Sequence, residues 1–123
     1  LESASKYYGT RVLAEETTVG AAGDGILWRQ VDRVAVKGRK GAVNVYELLG
    51  HDAEVDEETR ARAATYEKAL AACHARRFDE ALSLLHTLDE EDLAVLRLTH
   101  LVRQLKSEPP PDDWDGATQL TSK

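Results

Sequence analysis

The sequence predicts an α+β fold in which a strand-rich segment precedes an all-α segment. Seven of the eight glycines lie within residues 1–50, whereas residues 51–106 contain neither glycine nor proline. Residues 26–36 and 42–49 are rich in β-branched and apolar residues, and the second stretch alternates well, which favours strands. Further along the chain, apolar residues recur at helical spacing instead.

The same change in composition predicts the domain organisation. We place a boundary near Gly50, so that residues 1–50 form one unit, residues 51–106 form a helical extension, and residues 107–123 form a proline-rich linker and a tail that contains a tryptophan. The chain does not begin with methionine, and Leu1-Glu2 is typical of the middle of a helix. We therefore expect a piece of a longer protein.

Charge and cysteine content exclude several classes of protein. The 123 residues carry a net charge of −6, and the excess of acidic groups lies in residues 51–123. Nucleic-acid binding requires a basic surface, so we expect no nucleic-acid partner. Cys73 is the only cysteine, which excludes an internal disulfide and suits a reducing compartment. The sequence shows no apolar run long enough to span a membrane and no signal-peptide pattern, which predicts a cytoplasmic location or the cytosolic portion of a membrane-anchored protein.

The first fifty residues predict a β-hairpin with accompanying short elements. Residues 1–8 are typical of a helix end, and the elements expected after Gly9 are a strand over Thr10–Ala14, a short helix over Glu15–Ala22, a strand over Ile26–Val36, a basic glycine-bounded turn and a strand over Ala42–Leu49. The apolar alternation breaks at Asp32–Arg33. A lone hairpin is marginal in water, so this unit needs further strands or a partner, and we expect a homodimer or a strand-swapped assembly.

Three helices are predicted after residue 55. Asp56 caps the first, which ends near Arg76-Arg77, and the second covers about Phe78–Leu88. We expect Asp89 to cap the third helix, whose inward-facing residues are Leu93, Leu96, Leu101 and Leu105. Pro109 and the two prolines after it stop this helix. We expect Trp114 to dock on the helices, because a large aromatic side chain gains most from burial.

Two stretches resemble a known family. Residues 1–13 (LESASKYYGTRVL) and residues 30–50 (QVDRVAVKGRKGAVNVYELLG) are similar to the last third of a class III adenylate/guanylate cyclase domain. In that family a helix with an Asn-x-x-x-Arg motif runs into Leu-Glu, a Tyr-Gly turn and a strand, and the domain closes with D-x-V-x-V-K-G and V-x-x-Y-E-L strands. The resemblance implies that residues 1–50 are the C-terminal part of a ferredoxin-like cyclase sheet.

The helical extension resembles a tetratricopeptide-type helical hairpin. Small and aromatic residues fall at the expected positions, namely Ala69, Ala72, Phe78, Ala81 and Leu85. Such repeats span about 34 residues and stack in arrays, and this chain has room for about one and a half. Bacterial cyclases with a short helical extension and a W-x-G…K tail resemble the chain most, and the tail residues that match are Trp114, Gly116 and Lys123.

The resemblance implies an intact enzyme that converts ATP, or GTP, to the 3′,5′-cyclic nucleotide and pyrophosphate at a dimer interface. Two aspartates of the family hold Mg²⁺ or Mn²⁺ and, with the other catalytic residues, fall upstream of Leu1. We therefore expect no catalytic residue, no metal site and no activity in this chain alone. One family position falls inside it: Lys37 matches the lysine that contacts substrate phosphates. A compact ammonium group suits phosphate oxygens, and Arg39 and Lys40 add positive charge as supporting contacts.

Simpler interpretations of several of these residues are also open. Arg39 and Lys40 also fit a solvated turn in which charge serves solubility. The glycines of residues 20–25 lack the Gly-Lys-Ser/Thr of a Walker loop, and Cys73, His74 and His86 match no zinc spacing. An alternative function is a non-catalytic helical module that binds a protein partner or a regulatory domain, which would show as an exposed apolar surface.

Overall fold

The computed structural model describes residues 13–23, 25–36, 42–114 and 118–120. In chain order these residues form β1 (Leu13–Glu15), α1 (Glu16–Ala22), β2 (Ile26–Val36), β3 (Ala42–His51), α2 (Glu57–His74), α3 (Phe78–Leu85), α4 (Leu93–Ser107) and β4 (Thr118–Leu120). The predicted α+β class is confirmed. The helix end expected in residues 1–8 and the first part of the Thr10–Ala14 strand lie outside the described residues.

The strands form one sheet in the order β1-β3-β2-β4. β1 and β2 both pair antiparallel with β3, which confirms the predicted hairpin. β4 pairs parallel with β2 over three residues, and this register joins Val34 to Thr118 and Val36 to Leu120. The tail therefore returns to the sheet and adds a strand that the sequence pattern did not predict.

A bulge interrupts the middle of the β2–β3 ladder. Gln30 pairs with Tyr46 and Asp32 pairs with Val45, so Val31 is an extra residue on β2. An extra residue locally disrupts a ladder and bends its strand. The apolar alternation of β2 breaks immediately after this position, so the irregularity was visible in the sequence, although its nature was not.

Helix α2 docks on this bulge through two consecutive side chains. The buried Tyr66 hydroxyl donates a 2.8 Å hydrogen bond to the Val31 carbonyl. The neighbouring Glu67 carboxylate accepts a 2.7 Å hydrogen bond from the Gln30 backbone N–H. Because a buried backbone carbonyl is costly when unsatisfied, the Tyr66 contact favours this position of the helix against the sheet, and Glu67 adds an exposed contact beside it.

A single buried cluster joins the sheet to the helices. The sheet contributes Val31, Val34 and Val45, and the helices and their connections contribute Tyr66, Ala69, Leu70, Ala72, Cys73, Ala81, Leu85, Leu88, Ala94, Val95, Leu98 and Val102. Phe78, Leu82 and Trp114 pack against this cluster. The predicted docking of Trp114 is thereby confirmed, and the helices bury one face of the sheet.

The helix caps agree with the sequence at α2 and differ at α4. Asp56 caps α2 by accepting a 2.8 Å hydrogen bond from the Thr59 N–H, and hydrogen bonding from the Thr59 side chain, together with this backbone bond, lowers the pKa of Asp56. The prediction that Asp89 caps the last helix is wrong. Asp92 is the cap, with its carboxylate accepting from Ala94 N–H at 2.9 Å, whereas Asp89 accepts from Glu91 N–H in the preceding turn.

The buried face of α4 also differs from the prediction. Leu93 and Leu96 are 54% and 48% exposed, so their predicted place inside is wrong. Leu101 and Leu105 do pack against the core. The fully buried stripe is instead formed by Ala94, Val95, Leu98 and Val102. These residues follow the i, i+4, i+8 spacing of one helix face, and Leu93 and Leu96 fall on the opposite side.

Candidate functional site

The phosphate-binding residues predicted from the sequence follow directly after β2. Lys37, Arg39 and Lys40 belong to the connection between Val36 and Ala42, and all three lie outside the described residues. The strands on either side of this connection are described. β2 pairs with β3 up to Ala35↔Ala42 and with β4 up to Val36↔Leu120.

Elsewhere, an ion-pair cluster centred on Arg29 lies where the sheet meets the helices. Arg29 is on β2, directly opposite Glu47 on β3, and its guanidinium donates to the Glu47 carboxylate. It also donates to the α4 cap Asp92 at 3.0 Å. The guanidinium carbon lies 4.6 Å from the centroid of the Tyr66 ring, which is cation–π geometry. One arginine thus joins both hairpin strands to α2 and α4.

The electrostatics of Arg29 follow from its surroundings. Burial acts to lower the pKa of Arg29, but the carboxylates of Glu47 and Asp92 outweigh it and hold the pKa above its usual value. The guanidinium is therefore a permanent cation, and it cannot exchange a proton with a substrate near neutral pH. Arg29 therefore acts as a structural charge.

A second buried group, Asp32, lies next to the bulge. Its side chain is 2% exposed, and it accepts hydrogen bonds from Arg97 Nη2 on α4 at 3.0 Å and from the Arg33 backbone N–H at 2.7 Å. His74 Nε2, at the end of α2, lies 3.9 Å from the same carboxylate. Burial together with the Asp32 charge raises the pKa of the neighbouring Cys73 thiol to about 12. The thiol is consequently neutral and unreactive at physiological pH.

The end of α2 also holds the beginning of the tail. Arg76 Nη1 donates to the Pro110 carbonyl at 3.0 Å, and its Nη2 donates to the Pro111 carbonyl. The same guanidinium lies 5.7 Å from the centroid of the Trp114 ring, and the His74 ring approaches Trp114 edge-on at 6.2 Å. These contacts hold Pro110, Pro111 and Trp114 against the end of α2.

Two surface grooves lie among the described residues. The first, of about 260 Å³, lies beside Arg29 and is lined by Glu47, Arg62, Asp89 and Asp92 together with apolar residues. It mixes both signs of charge, and its ion pairs tie the sheet to α4. The second, of about 310 Å³, lies between α3 and α4. Its lining includes the polar side chains of Asp79, Ser83, His86, Thr99 and Arg103.

Across residues 13–23, 25–36, 42–114 and 118–120, no group of three or more histidine, cysteine, aspartate or glutamate side chains is arranged to hold a metal ion. No helix among these residues is long and apolar enough to cross a membrane.

The sequence pattern did not predict the two buried charge clusters. Arg29 and Asp32 lie in a strand that the sequence predicted, but their partners Asp92 and Arg97 are more than sixty residues away along the chain. The available signal was the presence of charged residues inside an apolar strand, because such residues are rarely buried unless they are paired. Comparison with family models, with curated proteins and with solved structures finds no match.

Proposed function

We propose that the chain is the C-terminal part of a class III adenylate or guanylate cyclase, followed by a helical extension. In this proposal β1, β2 and β3 belong to the ferredoxin-like sheet of the cyclase domain. The intact enzyme converts ATP, or GTP, to the 3′,5′-cyclic nucleotide and pyrophosphate for intracellular signalling.

The β2–β3 hairpin carries the proposal. It forms over the two stretches whose Val-Lys-Gly and Tyr-Glu-Leu motifs resemble the closing strands of that family. Thr10 follows the Tyr8-Gly9 pair. β1 begins at Leu13, three residues after Thr10, and pairs with β3. A short strand after Tyr-Gly and two long antiparallel strands are the elements that the resemblance requires, and each is present in the expected order.

Under this proposal Lys37 binds substrate phosphate. In sequence the residue follows Val36, the last residue of β2, and Val36 pairs with Leu120. A lysine ammonium at such a position neutralises terminal phosphate oxygens, and Arg39 and Lys40 raise the local positive potential. The described residues bring no three metal ligands together, so we derive no metal-dependent step from them. Mg²⁺ or Mn²⁺ would be held by carboxylates outside this chain.

Binding of inorganic triphosphate tests the role of Lys37. We expect Lys37→Ala to weaken binding, measured by calorimetry at low ionic strength, by about tenfold, since a hydrogen bond to a charged group contributes about 1.5–3 kcal/mol and screening by salt reduces it. Lys68→Ala is the matched control, because it removes the same charge from an exposed position on α2. Equal affinities of the two variants would contradict the assignment.

Two further observations test the family itself. The residues encoded immediately before Leu1 should contain the Asn-x-x-x-Arg motif, and its absence would remove the basis of the proposal. The chain alone, incubated with ATP and Mn²⁺, should form no cyclic AMP at an enzymatic rate. Formation at such a rate would show that the catalytic residues lie in this chain.

A second candidate function is a non-catalytic module that binds a protein partner. It is favoured by the exposure of Leu93 and Leu96, which form an apolar pair on the outer side of α4. Leu85 is buried and Leu82 packs against the core, so the rest of the extension resembles a structural cap. A Leu93→Ser/Leu96→Ser variant that keeps its stability but loses cyclase regulation in the intact enzyme would support this function.

The proposal also includes self-association. Class III cyclase active sites lie between two copies, and the described sheet ends at the short strands β1 and β4. Unpaired strand edges recruit other chains, so we expect a homodimer or a strand-swapped assembly. Light scattering that gives a monodisperse monomer at micromolar concentration would contradict this expectation.

A further inference from the structure

The groove between α3 and α4 contains polar side chains that the fold itself does not use. Its polar lining residues are Asp79, Ser83, His86, Thr99 and Arg103. Thr99 and Arg103 are four residues apart, so they lie on one face of α4, and the same spacing places Asp79 and Ser83 on one face of α3. The groove volume of about 310 Å³ is at the lower end of the range for small-molecule sites, about 300–1,000 Å³.

Most of these polar groups have no partner in the described part of the chain. Asp79 does have one, because Lys106 on α4 forms an ion pair with it at 2.5 Å. The other four side chains form no hydrogen bond and no ion pair with any described residue. Thr65 and Thr87, by comparison, donate their hydroxyls to backbone carbonyls at 3.0 and 2.8 Å. Thr99 makes no such bond, so its hydroxyl can donate to a ligand.

The charge of the groove favours an anion. Asp79 is the acidic residue of the lining, and its pairing with Lys106 joins the start of α3 to the end of α4. Arg103 keeps its positive charge, and His86 adds a ring N–H donor. This local balance is opposite to that of residues 51–123, which carry the acidic excess of the chain.

Apolar residues complete the lining. Leu85 is 3% exposed, and Leu82 packs against the buried cluster, so the core holds both side chains in place. A ligand in the groove can therefore cover apolar surface with one part while its anionic part meets the polar side chains.

We propose that this groove binds a small organic phosphate monoester. Such a group presents three strong acceptor oxygens, and the groove offers donors from two helices, namely a guanidinium fork, two hydroxyls and an imidazole. A carboxylate has two oxygens in one plane and uses fewer of these donors. The organic part of the ligand lies over Leu82 and Leu85. This inference concerns the helical extension and does not depend on the proposed cyclase function.

Phenyl phosphate is the probe, because it joins a phosphate monoester to an apolar ring. Calorimetry at low ionic strength should show saturable binding at millimolar concentration. Inorganic phosphate, which has no apolar part, and benzoate, which carries a carboxylate on the same ring, should both bind more weakly. Amide signals in NMR spectra should shift most at residues 83–86 and 99–103. The proposal would be overturned by benzoate or inorganic phosphate binding as tightly as phenyl phosphate, or by the absence of saturable binding.

Two substitutions and a matched control assign the binding to the groove. Arg103→Gln should weaken phenyl phosphate binding by about tenfold or more, because it removes the positive charge of the lining. Thr99→Val removes one hydroxyl at similar volume and should weaken binding by about threefold. Arg62→Gln removes the same charge from α2, where Arg62 pairs with the exposed Glu58, and should change the affinity by less than about twofold. Equal losses in the two arginine variants would show that only overall charge attracts the anion, which would overturn the proposal.

Lys37→Ala separates this groove from the phosphate contact proposed after β2. It should leave phenyl phosphate binding unchanged. If Lys37→Ala abolishes binding and Arg103→Gln does not, the bound phosphate belongs to Lys37 and the groove assignment is wrong. Arg103 is exposed and makes no ion pair with a described residue, so Arg103→Gln should keep the urea midpoint of the unsubstituted chain. An unchanged midpoint shows that the loss of binding is not a loss of folding.

Discussion

Replacing Tyr66 by phenylalanine removes one oxygen atom from the contact between α2 and the β2 bulge. Tyr66 and Val31 are each 1% exposed, and the hydroxyl lies 2.8 Å from the Val31 carbonyl. Water cannot replace the lost donor at such a site, so the carbonyl loses a partner that solvent would supply elsewhere. The ring, and with it the contact to the Arg29 guanidinium, is retained.

The expected magnitude follows from this geometry. A buried polar group deprived of its hydrogen-bond partner costs about 1–3 kcal/mol, and the void left by one oxygen adds little. With a urea m-value of about 2 kcal/mol/M for a chain of this size, the unfolding midpoint should fall by about 0.5–1.5 M at constant m. Circular dichroism at 222 nm during a urea titration measures this midpoint.

Tyr46→Phe is the matched control, because Tyr46 lies on β3 and is only partly buried. We expect Tyr46→Phe to change the free energy of unfolding, measured from its urea midpoint, by less than about 0.5 kcal/mol. If Tyr66→Phe shifts the midpoint no more than Tyr46→Phe does, the bulge does not depend on the Tyr66 hydroxyl. The account of how α2 docks would then be wrong.

Three other predictions address the core and its charges. Asp32→Ala should destabilise the fold by about 3–5 kcal/mol, because the charge of Arg97 loses a buried counterion, and an additional Arg97→Met should restore part of this in chemical denaturation. Leu98→Ala should cost about 2–5 kcal/mol and Leu96→Ala less than about 1 kcal/mol in thermal melts, since Leu98 is buried and Leu96 is half exposed. Stability should fall as pH rises above 9, because the pKa of Cys73 is raised to about 12 in the folded state and the unfolded thiol ionises first.

The Asp32–Arg97 prediction and the pH prediction each have a control. An Asp32→Ala and Arg97→Met pair whose effects simply add would show that the two side chains are not coupled. Above pH 9 the free energy of unfolding should fall by about 1.4 kcal/mol per pH unit for one thiol. Cys73→Ala should reduce that slope. The pKa of Tyr66 is also raised by burial, so some slope should remain above pH 10 in the Cys73→Ala variant.

The strands and the helical order could be predicted from local pattern. Ile26–Val36 and the start of β3 at Ala42 are found as expected, and Asp56 caps α2. These features depend on neighbouring residues: alternation, turn-forming glycines, and a capping side chain followed by acids in the first turn.

The features that failed depend on distant contacts or on equivalent local choices. Asp89 and Asp92 are both good capping residues, and only the packing of α4 selects the second. Leucines surround the first turns of α4, so sequence alone favoured large residues over the buried Ala94 and Val95. β4 has three residues in a parallel pair with a strand more than eighty residues earlier, which leaves no local pattern to detect.

The candidate site divides in the same way. The basic residues after β2 attracted attention because charge, glycine and motif coincide there, whereas Arg29 and Asp32 looked like defects in a strand. Their ion pairs with Glu47 on the neighbouring strand and with Asp92 and Arg97 on the distant helix α4 form through tertiary contacts. The sequence pattern indicates the segment that resembles a ligand site but does not reveal the residues that hold the sheet to the helices.

The bulge at Val31 has a consequence for anyone who wishes to recombine these segments. Side chains alternate between faces along a strand, so removing this one residue would turn every upstream side chain of β2 to the other side. Arg29 would then point away from the Glu47 and Asp92 carboxylates and from the Tyr66 ring. A chimaera that joins these helices to a regular hairpin would lack the bulge that Tyr66 and Glu67 contact. Any such chimaera must therefore keep the extra residue at Val31.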